Sequence, residues 1–462
     1  MFTSRSTNVS KTTMKAAVLR RKRLSVESIS IPTIRGNELL LEVGLTGLCG
    51  TDVKKATSGM LGNGTFVLGH EMVGRIVACG LDLPSTLLGE RVAVFHHVPC
   101  MEDGCEPCKQ GEYAQCPTYK SVDTTAGFGV PSGGGFAQYV VLPPEVVSRG
   151  LVRIPDHVSY EQAVFLEPLN CILKAIRLFE KFGQPINQGE KILVIGQGVN
   201  GLIFTQILKR LYDAEVITLE PNEYRRKQSE VYGAIAHKAI PPDLHVSKAI
   251  VACASESAIH SAIRIVDSGG TIVYFGDIIP GLKGGTDWSA LSRTETSIFV
   301  DGRLVVPSYS SAFDLHEESA TLLFSGKLDV ISLISHKIGL DSLPLAIKGF
   351  RTGRMYSRTV EDVLKIVVKP GPESDVNYLS GVAYYVWNAA VSIACAVAFL
   401  VVVGTGIGQF LQDKKLEDSG CVPTDVCDYS CTGDHGDIPG KAKLTRYDGT
   451  IYYWDYDCLS PP

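Results

Sequence analysis

The chain has 462 residues, of which 45% are hydrophobic and 20% are charged, and its formal net charge is −5. These values are typical of a globular protein, and the length predicts two or three domains. A small net charge without a basic stripe argues against a nucleic-acid partner. Eight of the 13 cysteines fall within residues 100–116 and 421–458, so the two groups are interpreted separately.

The first residues of the chain carry no recognisable secretory signal. Residues 1–13 are rich in serine and threonine and contain no apolar run. This composition predicts a disordered extension, with a short transit peptide as the alternative.

Short apolar segments separated by glycine and proline come next, and they predict a β-rich domain with a partly closed barrel. Within this region His70 and Glu71 stand in a Gly-His-Glu-x2-Gly motif, and Cys49 lies upstream of them. A thiol, an imidazole and a carboxylate are a ligand mixture typical of zinc, so we predict a zinc site here. The alternative is a histidine with a purely structural role.

A loop of four cysteines follows this motif, and it contains Cys100, Cys105, Cys108 and Cys116. Four thiolates in one loop form a closed tetrahedral zinc site without an open position. Two disulfides are the rival interpretation, and we favour zinc because a chain without an export signal is expected in a reducing compartment.

The cofactor motif lies near residue 200, shortly before the middle of the chain. The apolar strand Lys191–Ile195 leads directly into a turn with Gly196, Gly198 and Gly201, and a helical segment follows. A Gly-x-Gly-x-x-Gly turn between a strand and a helix predicts a dinucleotide site, with the pyrophosphate at the helix N-terminus.

The end of the following strand predicts the cofactor preference. Glu220 is placed to accept the ribose hydroxyls and would repel a 2′-phosphate, so NAD is favoured over NADP. Arg225 and Arg226 are close enough to soften this preference, and either is an alternative lining residue for the adenine.

The composition changes after Pro370. Residues 371–381 are a predicted linker, and residues 382–404 form an uncharged run. A run of this length at about 1.5 Å per residue spans a bilayer core of about 30 Å, so we predict a transmembrane helix. A buried helix and a fusion of unrelated sequence are the alternatives.

Residues 405–462 are a cysteine-containing tail, whose cysteines are Cys421, Cys427, Cys431 and Cys458. Two disulfides among these cysteines are favoured over a metal site that includes His435.

From about Met14 to Pro370 the chain resembles the zinc-dependent medium-chain alcohol and polyol dehydrogenases. The resemblance rests on the motifs above, and Glu167-Pro168 is similar to the sorbitol and threonine dehydrogenase branch. It implies an α/β fold class, with a β-rich GroES-like catalytic domain from residues 14–176 and 306–370 and a doubly wound Rossmann domain from residues 177–305.

The resemblance also implies roles for individual residues. Cys49 and His70 are expected to bind the catalytic zinc, with Glu71 and Glu167 sharing the remaining protein position. Thr51 matches the hydroxyl that passes the alcohol proton outward, although Lys54 replaces a histidine that many relatives use in the outer relay. The alternative for Glu167 is a helix-start residue that faces the helix dipole.

We therefore predict an enzyme that transfers a hydride between NAD and a secondary alcohol of polyol, sugar or cyclitol type, with one catalytic and one structural zinc. An NADPH-dependent carbonyl reductase and a membrane-tethered scaffold without turnover are the alternatives. The prediction also includes a homo-oligomer that is anchored in a membrane through residues 382–404, with the dehydrogenase domains on the cytosolic side.

Overall fold

The computed structural model describes residues 4–6, 11–58, 61, 63–119, 133–276, 286–288, 290–291, 295–352, 354–355, 358–359, 363–371, 421–424, 428–431, 441–445 and 451–455. The strands are β1 (Ser4–Ser6), β2 (Thr13–Arg20), β3 (Arg23–Ser30), β4 (Leu39–Gly47), β5 (Thr65–Val67), β6 (Glu71–Gly80), β7 (Arg91–Val94), β8 (Tyr139–Leu142), β9 (Leu151–Arg153), β10 (Lys191–Ile195), β11 (Glu215–Leu219), β12 (Ile235–His237), β13 (Val246–Val251), β14 (Val266–Phe275), β15 (Ile298–Val300), β16 (Arg303–Ser308), β17 (Ile334–Gly339), β18 (Arg354–Met355), β19 (Arg358–Thr359), β20 (Lys365–Lys369), β21 (Cys421–Thr424), β22 (Asp428–Cys431), β23 (Lys441–Thr445) and β24 (Ile451–Asp455).

The α-helices are α1 (Gly50–Ser58), α2 (Glu106–Lys109), α3 (Pro144–Arg149), α4 (Tyr160–Ala163), α5 (Leu166–Lys181), α6 (Val199–Leu211), α7 (Glu223–Val231), α8 (Glu256–Ile265), α9 (His316–Phe324) and α10 (Leu343–Thr352). The chain divides into two compact units, Met1–Ser380 and Gly381–Pro462.

The first unit contains a seven-stranded sheet in the order β12-β11-β10-β13-β14-β16-β15. All neighbours are parallel except β15, which pairs antiparallel with β16 at one edge. The six parallel strands follow the 3-2-1-4-5-6 order of a dinucleotide-binding fold. The central strands are almost continuously apolar because helices cover both faces of such a sheet.

The other large sheet has eight strands and a path β17-β20-β4-β6-β7-β9, with β1 on β6 and β8 on β4. Its core strands β4 and β6 are antiparallel and bury most of their residues. The chain returns to this sheet after the parallel sheet, because β20 pairs with β4 and places Val367 opposite Gly47. This return brings residues near both ends of the first unit into one sheet.

Strand β16 belongs to the parallel sheet and runs through the predicted domain boundary at residues 305–306. Helix α5 likewise continues to Lys181, beyond the predicted boundary at residue 176. The domain limits given by the sequence therefore remain predictions.

The second unit contains two antiparallel strand pairs in its described residues. Strands β21 and β22 place Cys421 opposite Cys431, and β23 pairs with β24. The other two cysteines of the predicted tail, Cys427 and Cys458, lie outside the described residues.

The predicted membrane helix requires a correction. No helix within the described ranges is long and apolar enough to cross a membrane. Helix α5 is the longest of these helices, and its 16 residues extend only about 24 Å, against a bilayer core of about 30 Å. The fold-class prediction is wrong in this part. The predicted membrane-anchored localisation depended on the same span and is also wrong, and the predicted membrane contact has no support among the described helices. Residues 382–404 themselves lie outside the described residues.

Candidate active site

The structure brings Cys49, His70 and Glu71 together, as the motif predicts. Cys49 lies between β4 and α1, and the strand pairing of β4 with β6 places Gly47 directly opposite Glu71. One ligand atom from each of the three residues lies within 4.8 Å of the others, and His70 and Glu71 are buried. A cluster of one thiol, one imidazole and one carboxylate fits zinc and leaves a fourth tetrahedral position open.

Asp52 holds His70 in place within this cluster. Its Oδ1 lies 3.3 Å from His70 Nδ1, and its Oδ2 accepts a hydrogen bond of 3.1 Å from the Cys49 amide. Because Nδ1 faces the Asp52 carboxylate at ion-pair distance, Nε2 is the nitrogen that remains for a metal. The Gly69 amide also donates to Asp52, and Gly69 itself has a φ of +99°, a left-handed conformation that favours glycine.

The charges of Asp52 and His70 stabilise each other. Burial by itself would raise the pKa of the Asp52 carboxyl, but the His70 charge and the hydrogen bonds from His70 and Cys49 lower it. Burial likewise disfavours charge on His70, yet the Asp52 carboxylate raises the pKa of the imidazole well above its usual range. Asp52 therefore stays ionised and is suited to increase the basicity of a ligating His70.

Lys365 holds the third residue of the cluster. Its Nζ donates to Glu71 Oε2, and both side chains are buried. Burial would lower the pKa of Lys365, but the Glu71 carboxylate raises it. Gly47 is required beside this pair, since a Cβ there would lie 1.9 Å from Glu71 Oε2 and 2.8 Å from Lys365 Cε. Only one oxygen of Glu71 is used by Lys365, so Oε1 can face a metal.

Glu167 lies in the first turn of α5 and is buried, but it does not join the three clustered ligands. Its Oε1 is 4.0 Å from His96 Nδ1 and 3.6 Å from Cys171 Sγ. Burial raises the pKa of Glu167, and the Glu71 charge raises it further, while the His70 charge acts in the opposite direction.

Two further predicted residues lie in or beside α1. Thr51 is partly buried in the first turn of this helix, two residues after Cys49, and Lys54 lies one turn further on. Thr51 is therefore close to the cluster along the chain, and its proton-relay role remains a prediction.

The four-cysteine loop also converges. Cys100 Sγ lies 3.8 Å from Cys108 Sγ, and Cys105 Sγ lies 3.8 Å from Cys116 Sγ. Four sulfurs at about 2.3 Å from a tetrahedral zinc are about 3.8 Å apart, whereas a disulfide joins sulfurs at about 2 Å. The observed distances fit a closed zinc site, and all four thiols are free.

Two of the four thiols have pKa values that are shifted in opposite directions. Burial raises the pKa of Cys108 to about 12. Burial also opposes charge on Cys116, but hydrogen bonds from Thr118 and from the Cys100 amide lower its pKa to about 6. Cys116 therefore provides a thiolate more readily than Cys108 does.

The glycine turn between β10 and α6 has the form that the motif predicts. Gly196 has a φ of +91°, and a Cβ on Gly201 would lie 2.0 Å from the Gly196 carbonyl oxygen. Nothing lies within 4 Å of the position of a Cβ on Gly198, so this side of the turn has room for a close ligand. The turn therefore fits a pyrophosphate at the N-terminus of α6.

Glu220 and the two arginines that follow it, Arg225 and Arg226, form hydrogen bonds within the protein. Glu220 Oε2 accepts a 2.7 Å hydrogen bond from the Gln197 amide, and Oε1 accepts one of 2.9 Å from the Asn222 amide. A carboxylate has further acceptor capacity, so these bonds leave room for ribose hydroxyls. Arg225 Nη2 donates to the Val363 carbonyl, and Arg226 donates to the Glu220 carbonyl. Both arginines thus have protein partners.

Four residues of this region were not found from the sequence. Asp52 had a local signal, since it lies three residues after Cys49 at the start of a helix. His96 had only its position after a predicted strand, and Cys171 had only its spacing from Glu167 along a helix. Lys365 had no local signal, because it is 294 residues from Glu71.

Comparisons with known proteins agree with the fold and the cluster. A family model described as the alcohol dehydrogenase GroES-like domain matches residues 35–156. Sorbitol dehydrogenase of Bacillus subtilis (strain 168) is 30% identical over 281 residues, which cover 57% of this chain and 75% of the relative. D-xylulose reductase A of Aspergillus niger is 26% identical over 353 residues, or 72% and 92% of the two chains.

A solved structure shows the same architecture with a nucleotide bound. A protein from Sinorhizobium meliloti 1021, described as a zinc-binding dehydrogenase bound to NADP, has a TM-score of 0.63 and 26% identity. The match covers 78% of this chain and 100% of that one. The chain belongs to the zinc-dependent medium-chain alcohol and polyol dehydrogenase family. It is therefore an alcohol oxidoreductase that uses NAD or NADP and acts on small-molecule alcohols.

Proposed function

We propose that this enzyme oxidises a secondary alcohol of a polyol, sugar or cyclitol with NAD, and that zinc binds to Cys49, His70 and Glu71. The observation that carries this proposal is the cluster of the half-buried Cys49 with the buried His70 and Glu71, whose ligand atoms lie within 4.8 Å of one another. The substrate class is supported by the relatives, which are named for sorbitol and xylulose.

The choice of Glu71 over Glu167 as the third ligand rests on the geometry. Glu71 has a ligand atom within 4.8 Å of those of Cys49 and His70, whereas Glu167 falls outside this group. The contact of Glu71 with Lys365 involves one carboxylate oxygen and orients the other, as partners of metal-binding carboxylates do.

The residues around the cluster divide the chemical tasks. When bound, zinc supplies a Lewis acid that lowers the pKa of an alcohol, and NAD supplies the hydride acceptor. Asp52 fixes the orientation of His70, and Lys365 fixes that of Glu71. The Thr51 hydroxyl is the proposed first acceptor of the alcohol proton on its way outward.

The preference for NAD over NADP is part of the proposal. Glu220 is buried at the end of β11 and bonds to the amide of Gln197 within the glycine turn. A 2′-phosphate beside this carboxylate would meet a like charge in a site shielded from water. The neighbouring arginines are held by backbone carbonyls, which reduces their capacity to compensate.

A second zinc and a homo-oligomer complete the proposal. The four-cysteine loop has the sulfur spacing of a closed zinc site. Strand β15 forms an edge of the parallel sheet, and Phe299 on it is 78% exposed. An exposed apolar edge strand supports pairing with a second copy of the chain.

The direct test is to mix the zinc-loaded full chain with NAD or NADP and a panel of polyols, and to follow reduced nicotinamide by fluorescence. We expect turnover with polyols that have a secondary hydroxyl, and kcat/KM at least about tenfold higher with NAD than with NADP. Turnover with NADP alone would show that the arginines outweigh Glu220. Absence of turnover with either nucleotide across the panel, with zinc and cofactor bound, would contradict the proposed function.

A further inference from the structure

The four-cysteine loop is tied to a distant part of the chain by one buried side chain. Tyr119 follows the last cysteine of the loop, and its amide donates a 3.0 Å hydrogen bond to the Cys116 carbonyl. Its ring is buried in the same cluster as Cys108 and Cys116. Its hydroxyl donates to the Ser311 carbonyl at 3.1 Å and accepts a hydrogen bond of 3.3 Å from the Ser310 hydroxyl. One hydroxyl therefore joins the loop to residues that are 192 positions further along the chain.

The two serines belong to residues 309–312 (the crossover segment), which directly follow β16 and leave the parallel sheet. Two side chains of helix α5 also hold this segment. Asn170 accepts a 2.7 Å hydrogen bond from the Ala312 amide and donates one of 3.0 Å to the carbonyl of the same residue. Lys174 donates a 2.7 Å hydrogen bond to the Tyr309 carbonyl. The crossover segment is thus held by the cysteine loop and by α5 together.

The backbone of the crossover segment has a conformation that its sequence disfavours. Ser310 has a φ of +64°, in the left-handed region, which costs free energy for any residue other than glycine. Such residues persist where surrounding contacts hold them. The Ser310 hydroxyl bonds to Tyr119, and Ser311 Oγ lies 2.8 Å from the same phenol oxygen. Loss of the contacts to this hydroxyl therefore favours relaxation of the segment.

The crossover segment starts at the edge of the sheet that carries the glycine turn. The strand register places Pro307, near the end of β16, on the same row as Ile195, which directly precedes that turn. In a dinucleotide-binding fold, the first three and the last three strands form two mononucleotide-binding halves. Glu220, the proposed ribose acceptor of the adenosine, ends β11 in the first half. The crossover segment therefore follows a strand of the half that receives the nicotinamide nucleotide.

We propose that the Tyr119 hydroxyl couples the metal-loaded state of the four-cysteine loop to binding of the nicotinamide cofactor. Four thiolates around one metal fix the fold of the loop and with it the position of Tyr119. The hydroxyl then holds the crossover segment, so the cofactor binds to an edge that is already ordered. When the loop is not metal-loaded, the cofactor must order the segment itself. Tyr119 is thus a positioning residue.

This inference rests on the proposed function, because it takes from it a second zinc at the cysteine loop and NAD as the cofactor. Coupling between two binding sites is reciprocal. If zinc in the loop strengthens NADH binding, NADH must strengthen zinc binding by the same factor. Coupling factors between sites are typically about 5 to 150. We expect a factor of about 5 to 20 here, because only one short segment is ordered.

The test measures zinc occupancy of the loop in the full chain, at buffered free zinc concentrations, without and with saturating NADH (or NADPH if the activity assay selects it). Free thiols are alkylated in a short pulse, and mass spectrometry of residues 100–116 reports the loop separately from Cys49. In the wild type, NADH should lower the free zinc concentration at half-occupancy by about 5- to 20-fold. In Tyr119→Phe, which keeps the ring, the shift should be less than about twofold.

A matched control separates the hydroxyl from the rest of the loop. Tyr113→Phe removes the hydroxyl of the tyrosine within the loop and keeps its ring against Phe313, at 5.8 Å between centroids. This variant should keep the full shift. Fluorescence titration of the zinc-loaded proteins gives the reciprocal value. The Kd for NADH should rise by about 5- to 20-fold in Tyr119→Phe and stay within about twofold of wild type in Tyr113→Phe.

The outcomes separate this inference from the proposed function. Three results would overturn the coupling: no effect of NADH on zinc occupancy in the wild type, a shift that persists in Tyr119→Phe, or an equal loss of the shift in Tyr113→Phe. If the loop takes up no zinc under any condition, the second zinc of the proposed function fails and the inference fails with it. If zinc and NADH both bind without a mutual effect, the proposed function stands and the inference alone is contradicted.

Discussion

The two candidate zinc sites of this enzyme are built in opposite ways. The four-cysteine loop takes all its ligands from residues 100–116, so local chain spacing defines it almost completely. The catalytic cluster takes its ligands from two strand ends, and Lys365, from near the end of the first unit, orients one of them. A closed site can be formed by one loop, whereas an open site needs distant residues to hold its ligands around an empty position.

The largest expected effect is the loss of activity in Cys49→Ala. Cys49 is a proposed zinc ligand of the open site, so removal of its thiolate should abolish turnover and remove about one zinc per chain while NAD binding persists. Metal analysis, steady-state kinetics and NAD titration check this. Cys79→Ala, at a buried cysteine outside both clusters, is the matched control, and full activity in Cys49→Ala would contradict the ligand set.

The second effect is expected in the other site. Cys105→Ser should remove the zinc of the loop and destabilise the fold, because a closed site contributes metal-binding energy directly to folding. The expected loss in the free energy of unfolding is several kcal/mol, about the range found for loss of a structural cross-link or metal. Denaturant unfolding with zinc analysis measures it, with Cys79→Ser as the control. Unchanged zinc and stability would mean that the loop holds no metal.

A smaller effect is expected from Lys365→Met. This change leaves Glu71 without its orienting partner, so zinc affinity at the catalytic cluster should fall about 10- to 100-fold. Competition with a chelator measures the affinity, and the zinc of the cysteine loop should be unaffected.

The control for this prediction is Lys337→Met on the neighbouring strand β17. Lys337 pairs with Glu161 at 2.9 Å near the surface, where an ion pair contributes at most about 1 kcal/mol. Equal or tighter zinc binding in Lys365→Met would show that Lys365 competes with the metal for Glu71.

The sequence predicted the features that depend on local spacing. The four cysteines, the glycine turn and the adjacency of His70 and Glu71 are readable because each motif lies within one short segment. The Asp52 contact to His70 and the Lys365 contact to Glu71 depend on the pairing of β4 with β6 and β20, which no local pattern contains. The apolar run at residues 382–404 misled the prediction because composition alone does not establish a spanning helix.

The smallest predicted effect is a pH dependence near the cysteine loop. The His316 ring stacks on Phe95 at 3.6 Å and also contacts Phe313, which packs against Tyr113 of the loop. Burial lowers the pKa of His316 from its usual value near 6.5 to about 4. As the pH falls, the unfolded chain therefore takes up a proton at this histidine at a higher pH than the folded chain does. The contribution of His316 to the free energy of unfolding is complete above pH 6.5 and falls between pH 6.5 and about 4.

Between neutral pH and pH 5, this residue should account for about 2 kcal/mol of the decrease in the free energy of unfolding. His316→Gln does not titrate, so the difference between wild type and variant in the pH-dependent loss isolates the contribution of this residue. Unfolding free energies at pH 7.5 and 5 measure it. Equal losses in the two proteins would show that His316 is protonated as easily in the folded chain as in the unfolded one.

The central claim is that one chain holds two different zinc sites, and zinc-edge anomalous diffraction from crystals of the full chain tests it most directly. The account predicts two anomalous peaks. One should lie among the four cysteine sulfurs, and the other should lie among Cys49 Sγ, His70 Nε2 and Glu71 Oε1, with Lys365 Nζ on the remaining oxygen of Glu71. A peak bound by Glu167 in place of Glu71, or no peak at the cluster in active protein, would contradict it.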